Sequence, residues 1–313
     1  MANLKELSKK PEFLASGHRM CPGCGAAIIA RQVLHAVPKD EHVLVASATG
    51  CLEVSTTIFP YTSWNCSFIH NAFENVAATI SGVEAAYRAL RKAGKIKEKI
   101  NMIAFGGDGG TYDIGLQSLS GMLERGHNVL YIAYDNEAYM NTGIQRSSAT
   151  PMGADTTTSP VGEVIQGKQE YHKDLTRIVT AHKIPYVAQA SISHWNDLIT
   201  KVEKALSIEG PKFINILSPC PLGWRSVPSQ TVKIAKLAVE TCFWPLYEVT
   251  EQGRKWTVTY KPANKLPLAE WLKLQGRFKH LEEAKNQPIL EKLQQRVDKD
   301  WEYLLEREKQ VCL

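Results

Sequence analysis

No stretch of the chain is apolar over the roughly 18 to 20 residues that crossing a bilayer requires. The first ten residues hold three lysines, Lys5, Lys9 and Lys10, with no apolar core behind them. Neither a signal peptide nor a membrane anchor is expected, and the chain reads as cytoplasmic. Also missing is any long basic block. Lys and Arg number 37 against 32 Asp and Glu, a net +5 scattered along the chain, which suits solubility or an acidic protein partner rather than nucleic acid. At 44% hydrophobic and 22% charged the composition excludes disorder and collagen, and 313 residues can bury a core without disulfides. The seven cysteines are an odd number, and two of them form a CxxC, which points to reduced, metal-binding or redox thiols rather than a disulfide framework. No internal repeat or low-complexity segment is apparent.

Up to about residue 220, strand-type apolar runs alternate with amphipathic stretches, the pattern of an α/β fold with a mostly parallel sheet and helices on both faces. Asn75 to Lys92 reads as a helix stopped near Gly94. Asn101 to Phe105, Ile114 to Glu124 and Val129 to Tyr134 then read as strand, helix and strand. That right-handed βαβ unit brings the carboxyl ends of both strands to one edge of the sheet. Asn141 to Gln169 is predicted to be a long irregular loop, of the kind that usually carries function. Leu175 to His182 and Trp195 to Ile208 read as helices, Tyr186 to Ala190 and Phe213 to Leu217 as strands. Beyond Trp224 no strand is expected. Val232 to Cys242 and Glu291 to Arg307 read as helices around a stretch holding Pro245, Pro262 and Pro267. The predicted division is a cofactor domain, 1–225, and an extension, 226–313, wrapping it or a neighbouring subunit.

Gly106-Gly107-Asp108-Gly109-Gly110 follows a strand and precedes a helix, where backbone N–H groups can approach a diphosphate. It is not a dinucleotide fingerprint, because a GxGxxG pattern begun at Gly107 would need glycine where Tyr112 stands. The aspartate would repel a pyrophosphate unless a cation lay between, and Mg²⁺ is commonly shared between carboxylates and ligand phosphates. Asn136, 28 residues after Asp108, falls at the next strand end. This pairing resembles the signature of thiamine diphosphate enzymes, which assigns Mg²⁺ to Asp108, Asn136 and the carbonyl of Ala138. The competing reading is a tight turn whose Asp caps a helix.

Cys21 and Cys24 in a CPGCG turn, Cys51 after Thr49-Gly50, and Cys220 between Pro219 and Pro221 all lie beside Gly or Pro. Such loops can aim thiolates at one centre, leaving an iron–sulfur cluster, structural zinc and a redox dithiol as alternatives. Cys66, Cys242 and Cys312 have no such setting and read as packing or surface thiols.

The two signals together resemble the β subunit of the multisubunit pyruvate:ferredoxin oxidoreductases, within the 2-oxoacid:ferredoxin oxidoreductase family. The likeness is carried by Gly17 to Gly25 (GHRMCPGCG), Thr49 to Glu53 (TGCLE), Ile69 to Asn75 (IHNAFEN), Gly106 to Gly121, Tyr134 to Gly143 (YDNEAYMNTG) and Ser218-Pro219-Cys220. It implies a thiamine diphosphate-binding fold and one [4Fe–4S] cluster held by Cys21, Cys24, Cys51 and Cys220. Gly107, Asp108, Gly109, Gly110, Asn136, Ala138, Thr49, Gly50 and Cys51 would then surround the cofactor, with Asn141 and Thr142 beside the reacting centre. For Asn141 a turn before Gly143 is the plain structural reading. His70 and Asn71 receive no role, and His70 is expected to be a satisfied buried histidine.

The implied reaction is oxidative decarboxylation of a 2-oxo acid, pyruvate first, giving acetyl-coenzyme A and CO₂. Electrons would pass through the cluster to ferredoxin. The chain has no CxxCxxC run, so onward carriers, the cofactor-activating glutamate and the substrate-binding cations would lie on partner α-type and γ/δ-type subunits. Oxalate is the main alternative substrate, suggested by the polar Trp64-Asn65-Cys66-Ser67, and would need no coenzyme A. A non-oxidative thiamine enzyme and a zinc-stabilised binding subunit are alternatives from other classes.

Overall fold

The computed structural model describes residues 3–310. Its centre is an eight-stranded sheet in the order β2-β1-β3-β4-β6-β5-β7-β8. The strands are β1 (His42–Ala48), β2 (Ser67–Asn71), β3 (Ile100–Gly107), β4 (Leu130–Asp135), β5 (Tyr186–Ser191), β6 (Lys212–Leu217), β7 (Leu246–Thr250) and β8 (Lys255–Tyr260). The first six are mutually parallel, whereas β7 and β8 are antiparallel.

Every residue of β4, β5 and β6 is buried, as parallel strands covered on both faces require. Their two-residue period divides each strand between two cores. Leu130, Ile132 and Tyr134 face α2 (Gly25–His35) and α7 (Trp195–Ser207). Val129, Tyr131 and Ala133 face α4 (Val76–Lys92), α5 (Leu116–Glu124) and α6 (Leu175–Thr180). The sequence-predicted helix before Gly94 is α4, and Gly94 has φ +69°. A π-helical turn, Gly109–Ile114, precedes α5, so the chain coils as soon as it leaves the Gly-Asp turn. Between 136 and 174 there is no helix or strand, as expected of the long loop.

The C-terminal region departs from the expectation of no strands. β7 pairs with β5, and β8 closes a hairpin with β7 across Glu251-Gln252-Gly253, all three at positive φ. Pro245 and Pro262 frame this hairpin rather than interrupt it, which is where proline does least harm to a strand. A third core joins α8 (Thr231–Glu240), a short helix Ala269–Leu272 and the long helix Gln287–Lys309 to the end of β6. Trp271, fully buried, stacks on Phe243 with ring centroids 4.2 Å apart and meets Trp224 edge-on. Trp271→Ala is expected to cost about 3–5 kcal/mol, read from the urea unfolding midpoint, because it removes a large buried ring packed among Phe243, Trp224 and Phe278 and leaves a cavity there. A loss under about 1 kcal/mol would mean that this segment is not part of the cooperative core.

Candidate functional site

Parallel pairing brings the ends of β1, β3, β4 and β6 to the same edge of the sheet. The residues that follow them are Thr49-Gly50-Cys51, Asp108, Asn136 and Ser218-Pro219-Cys220. Gly107 pairs with Tyr134 and Asp135 with Leu217, so the Gly-Asp turn and both neighbouring strand ends are level.

Asp108 is 1% exposed and makes no helix-capping hydrogen bond, which removes the capping explanation for this turn. Ser147 Oγ donates to one carboxylate oxygen. The other, Oδ1, lies 2.8 Å from the Asn136 side-chain oxygen, which is itself 2.8 Å from the Ala138 carbonyl oxygen. Turning the amide over would let its nitrogen donate to both neighbours. A cation reconciles the same three oxygens without the turn, since Mg²⁺–O bonds of about 2.0–2.1 Å in an octahedron set adjacent oxygens about 2.9 Å apart. Asp135 and Glu137 add two more buried carboxyls. Burial, followed by the charge of Asp135, raises the Asp108 carboxyl well above its usual range. Burial, followed by Glu137, pushes Asp135 up to about 7.

The loop Asn136–Ala138 is held from three directions. Glu137 has φ +65°, and its amide donates to Asp135 Oδ1 over 2.9 Å. Trp224 Nε1 donates to the Asn136 carbonyl over 2.8 Å, and Thr150 Oγ1 to that of Glu137 over 2.6 Å. The Glu137 carboxylate pairs with Arg277, and both side chains are 2% exposed. The guanidinium lies 4.1 Å from the Trp224 ring centre and binds Gln275. Sequence reasoning did not identify Ser147, Trp224 or Arg277 as supports, and no local pattern marks residues so far from Asp108 and Glu137.

A recess of about 310 Å³ opens beside these oxygens. Thr49, Gly50, Cys51, Gly107, Asp108, Gly109, Gly110, Asn136, Ala138, Asn141 and Thr142 all line it. Phe73, Tyr134, Tyr139 and Met140 complete the wall. Asn141 and Thr142 sit at its exposed rim, where Thr142 and Gln145 bind each other. A larger space of about 830 Å³, among aromatic residues of the C-terminal region, contains none of the sequence-predicted site residues.

Cys51 opens the short helix α3 (Cys51–Thr56), Cys24 precedes α2, and Cys220 follows β6. The CPGC loop is fastened to the Cys220 loop, because the Gly25 amide donates to Pro219 O over 3.1 Å. A Cβ at Gly25 would fall 2.8 Å from the Ser218 carbonyl carbon. Burial pushes the Cys24 thiol up to about 11 and that of Cys51 up to about 12. The charges next in importance are the other cysteines of the set: Cys220 and Cys21 for Cys24, and Cys220, Cys24 and Cys21 for Cys51. The four thiols therefore lie within electrostatic reach of one another. They are not gathered around one ion: among the described residues, no three His, Cys, Asp or Glu side chains are close enough to hold a metal ion together. Cys66 and Cys242 stand apart in packing environments, and Cys312 lies outside the described residues. His70 corrects an expectation: its side chain is 60% exposed on the edge strand β2, with Nδ1 3.4 Å from Glu53, rather than buried.

This edge, with its acidic glycine turn and facing asparagine, defines a thiamine diphosphate-binding protein. Residues 48–216 match the family described as thiamine pyrophosphate enzyme, C-terminal TPP binding domain. The chain is 56% identical to pyruvate synthase subunit PorB of Thermotoga maritima, covering 96% of this chain and 94% of the relative. It is also 56% identical to PorB of Methanocaldococcus jannaschii, covering 92% and 95%. It is 45% identical to ketoisovalerate oxidoreductase subunit VorB of Pyrococcus abyssi, covering 94% and 92%. The 2-oxoglutarate:ferredoxin oxidoreductase of Magnetococcus marinus shares the fold, with TM-score 0.56 and 22% identity over 72% of this chain and 80% of that one. The chain belongs to the β subunits of the 2-oxoacid:ferredoxin oxidoreductases, thiamine diphosphate-dependent enzymes of several subunits. Among the described residues no helix is long and apolar enough to cross a membrane.

Removing one partner of the buried Glu137–Arg277 pair leaves the other charge uncompensated. Glu137→Gln is expected to lower unfolding stability by about 3–5 kcal/mol, and adding Arg277→Met to recover most of that loss. Denaturant titration of both variants checks this; a single variant as stable as the parent would mean that the pair does not hold the loop.

Proposed function

We propose that the chain is the cofactor-bearing subunit of an enzyme that oxidatively decarboxylates pyruvate to acetyl-coenzyme A and CO₂, with ferredoxin as electron acceptor. The reading rests on the three converging oxygens of Asp108, Asn136 and Ala138 placed on the same recess wall as Cys51. Asp108, Asn136 and the Ala138 carbonyl would hold Mg²⁺. The backbone of Gly107 to Gly110 would receive a diphosphate, and Thr49 and Gly50 line the same recess. Ser147 fixes the carboxylate so that Oδ1, not Oδ2, faces the metal position. Cys21, Cys24, Cys51 and Cys220 supply the donor set for a [4Fe–4S] cluster, whose sulfur ligands stand farther apart than those around a single ion.

Bound in these places, thiamine diphosphate supplies an electron sink for decarboxylation and the cluster a one-electron acceptor. Asn141 and Thr142 face the recess from its open rim, where they would contact substrate. Asp108 is the sole carboxylate on the wall and is committed to the metal, so proton transfer and binding of the substrate carboxylate fall to partner α-type and γ/δ-type subunits. Residues 1–225 carry both groups and 226–313 buttress them through Arg277. We place the assembly in the cytoplasm.

Pyruvate is favoured by the 56% identity to pyruvate synthase subunits, against 45% to the ketoisovalerate enzyme. The residues that suggested oxalate lie outside the recess: Trp64 is buried in the core and the Asn65 amide donates to Glu12 O.

Two measurements test the proposal. Ser147→Ala should weaken Mg²⁺-dependent thiamine diphosphate binding by about 10–100-fold in calorimetry, the usual effect of losing a support behind a metal ligand. The purified assembly should contain iron and thiamine diphosphate and oxidise pyruvate only with coenzyme A. Turnover of oxalate without coenzyme A, and none of pyruvate, would refute the substrate assignment.

A further inference from the structure

Tyr134, the penultimate residue of β4, is 1% exposed, and although the Leu52 backbone amide approaches its buried hydroxyl as a donor, the hydroxyl proton has no acceptor. Its neighbours do better: Tyr112 donates to Asp135, Tyr139 to the Gly109 carbonyl, and Tyr131 shares a hydrogen bond with Thr111. A phenylalanine would fill the same space without stranding a hydroxyl in the core. The surrounding backbone also leaves room for that oxygen. A Cβ at Gly50 would fall 2.5 Å from the hydroxyl oxygen, and one at Gly107 would lie 3.3 Å from it. Gly50 precedes Cys51 and Gly107 precedes Asp108, so the hydroxyl stands on the recess wall between the thiol loop and the Gly-Asp turn, closer to the Gly50 backbone than to that of Gly107.

We propose that the Tyr134 hydroxyl donates a hydrogen bond to sulfur on the Cys51 side of the cluster, and so sets the potential of the cluster that takes electrons from the recess. This rests on the cluster reading of the preceding subsection. A phenol is protonated at neutral pH and is a donor, and the other hydroxyls on this wall are already committed, Thr49 to the Asn71 carbonyl, Tyr139 to the Gly109 carbonyl and Thr142 to Gln145. Reduction adds one negative charge to the cluster, which a fixed O–H dipole stabilises, and the proton stays on the phenol. Hydrogen bonds to cluster sulfurs are among the factors that set iron–sulfur potentials. Tyr134 acts through Cys51 and the cluster, which makes it a positioning residue.

The test uses the full chain, loaded anaerobically with iron and sulfide, in a potentiometric titration followed by electron paramagnetic resonance. Tyr134→Phe should make reduction about fivefold less favourable, a negative shift of about 40 mV for a one-electron couple at 59 mV per decade. Its unfolding midpoint should equal or exceed that of the parent, which a purely structural role for the hydroxyl would not allow. Gly50→Ala, which presses a methyl against the hydroxyl, should shift the potential the same way and serves if Tyr134→Phe does not accumulate folded. A loaded cluster with unchanged potential overturns this inference alone, and so does weaker thiamine diphosphate binding at unchanged potential. A parent chain that takes up no cluster overturns the cluster reading and this inference with it.

Discussion

Four neighbouring strands running the same way are the constraint on which the site depends. β1, β3, β4 and β6 are consecutive in the sheet and parallel, so their carboxyl ends share one edge. Neighbouring strands lie about 4.8 Å apart, which keeps the residues after β1 and those after β6 within about 15 Å. Cys51, Asp108, Asn136 and Cys220 thereby become neighbours although 169 positions separate the first from the last. No local interaction could assemble them. Strand register protects the arrangement, because a slip by one residue would exchange the side chains that β4 and β6 send to the cores on their two faces.

The same constraint explains what could be read from the sequence. Wherever a chemical residue directly follows a buried apolar run, its place in space follows from the run alone. That is why Asp108, Asn136, Cys51 and Cys220 were legible, together with the βαβ unit and the long loop after β4. Residues that act across the chain were not. Arg277 meets Glu137 from 140 positions away, and Ser147 reaches Asp108 from 39. Neither leaves a periodic trace. The β7–β8 hairpin was missed because nearby prolines suggested an irregular segment, although they sit just outside two short strands. His70 was misjudged for a related reason: β2 is an edge strand, and its matched motif says nothing about burial.

Charge explains why the Gly-Asp turn and the facing loop need so much support. Asp108, Asp135 and Glu137 are all buried, and Arg277 meets Glu137 directly. Tyr112 donates to Asp135, and Asn215 donates in turn to Tyr112, which leaves Asp108 with Ser147 and the facing oxygens. A carboxylate in that position is destabilised until a cation arrives, and cation binding then displaces any proton it holds. Under the proposed function, folding and metal loading would consequently be linked at this loop. The cluster of oxygens is unfavourable by itself and would become favourable with the proposed divalent ion among them.

Seen this way, the C-terminal region has a chemical as well as an architectural part. Arg277 comes from the third core, packs on Trp224 and anchors Glu137, while the Trp224 indole holds the Asn136 carbonyl. The Asn136 carbonyl and the Glu137 carboxylate are thus both tied to residues C-terminal to the last parallel strand. Burial pushes the Cys220 thiol up, and the amides of Gly223 and Leu222 and, least of these, the charge on Arg277 oppose that rise. One buried cation therefore stands behind a proposed metal ligand loop and a proposed cluster ligand together. Displacing it would disturb both positions at once, which couples the Asn136–Ala138 loop and the Cys220 loop through packing as well as through proximity.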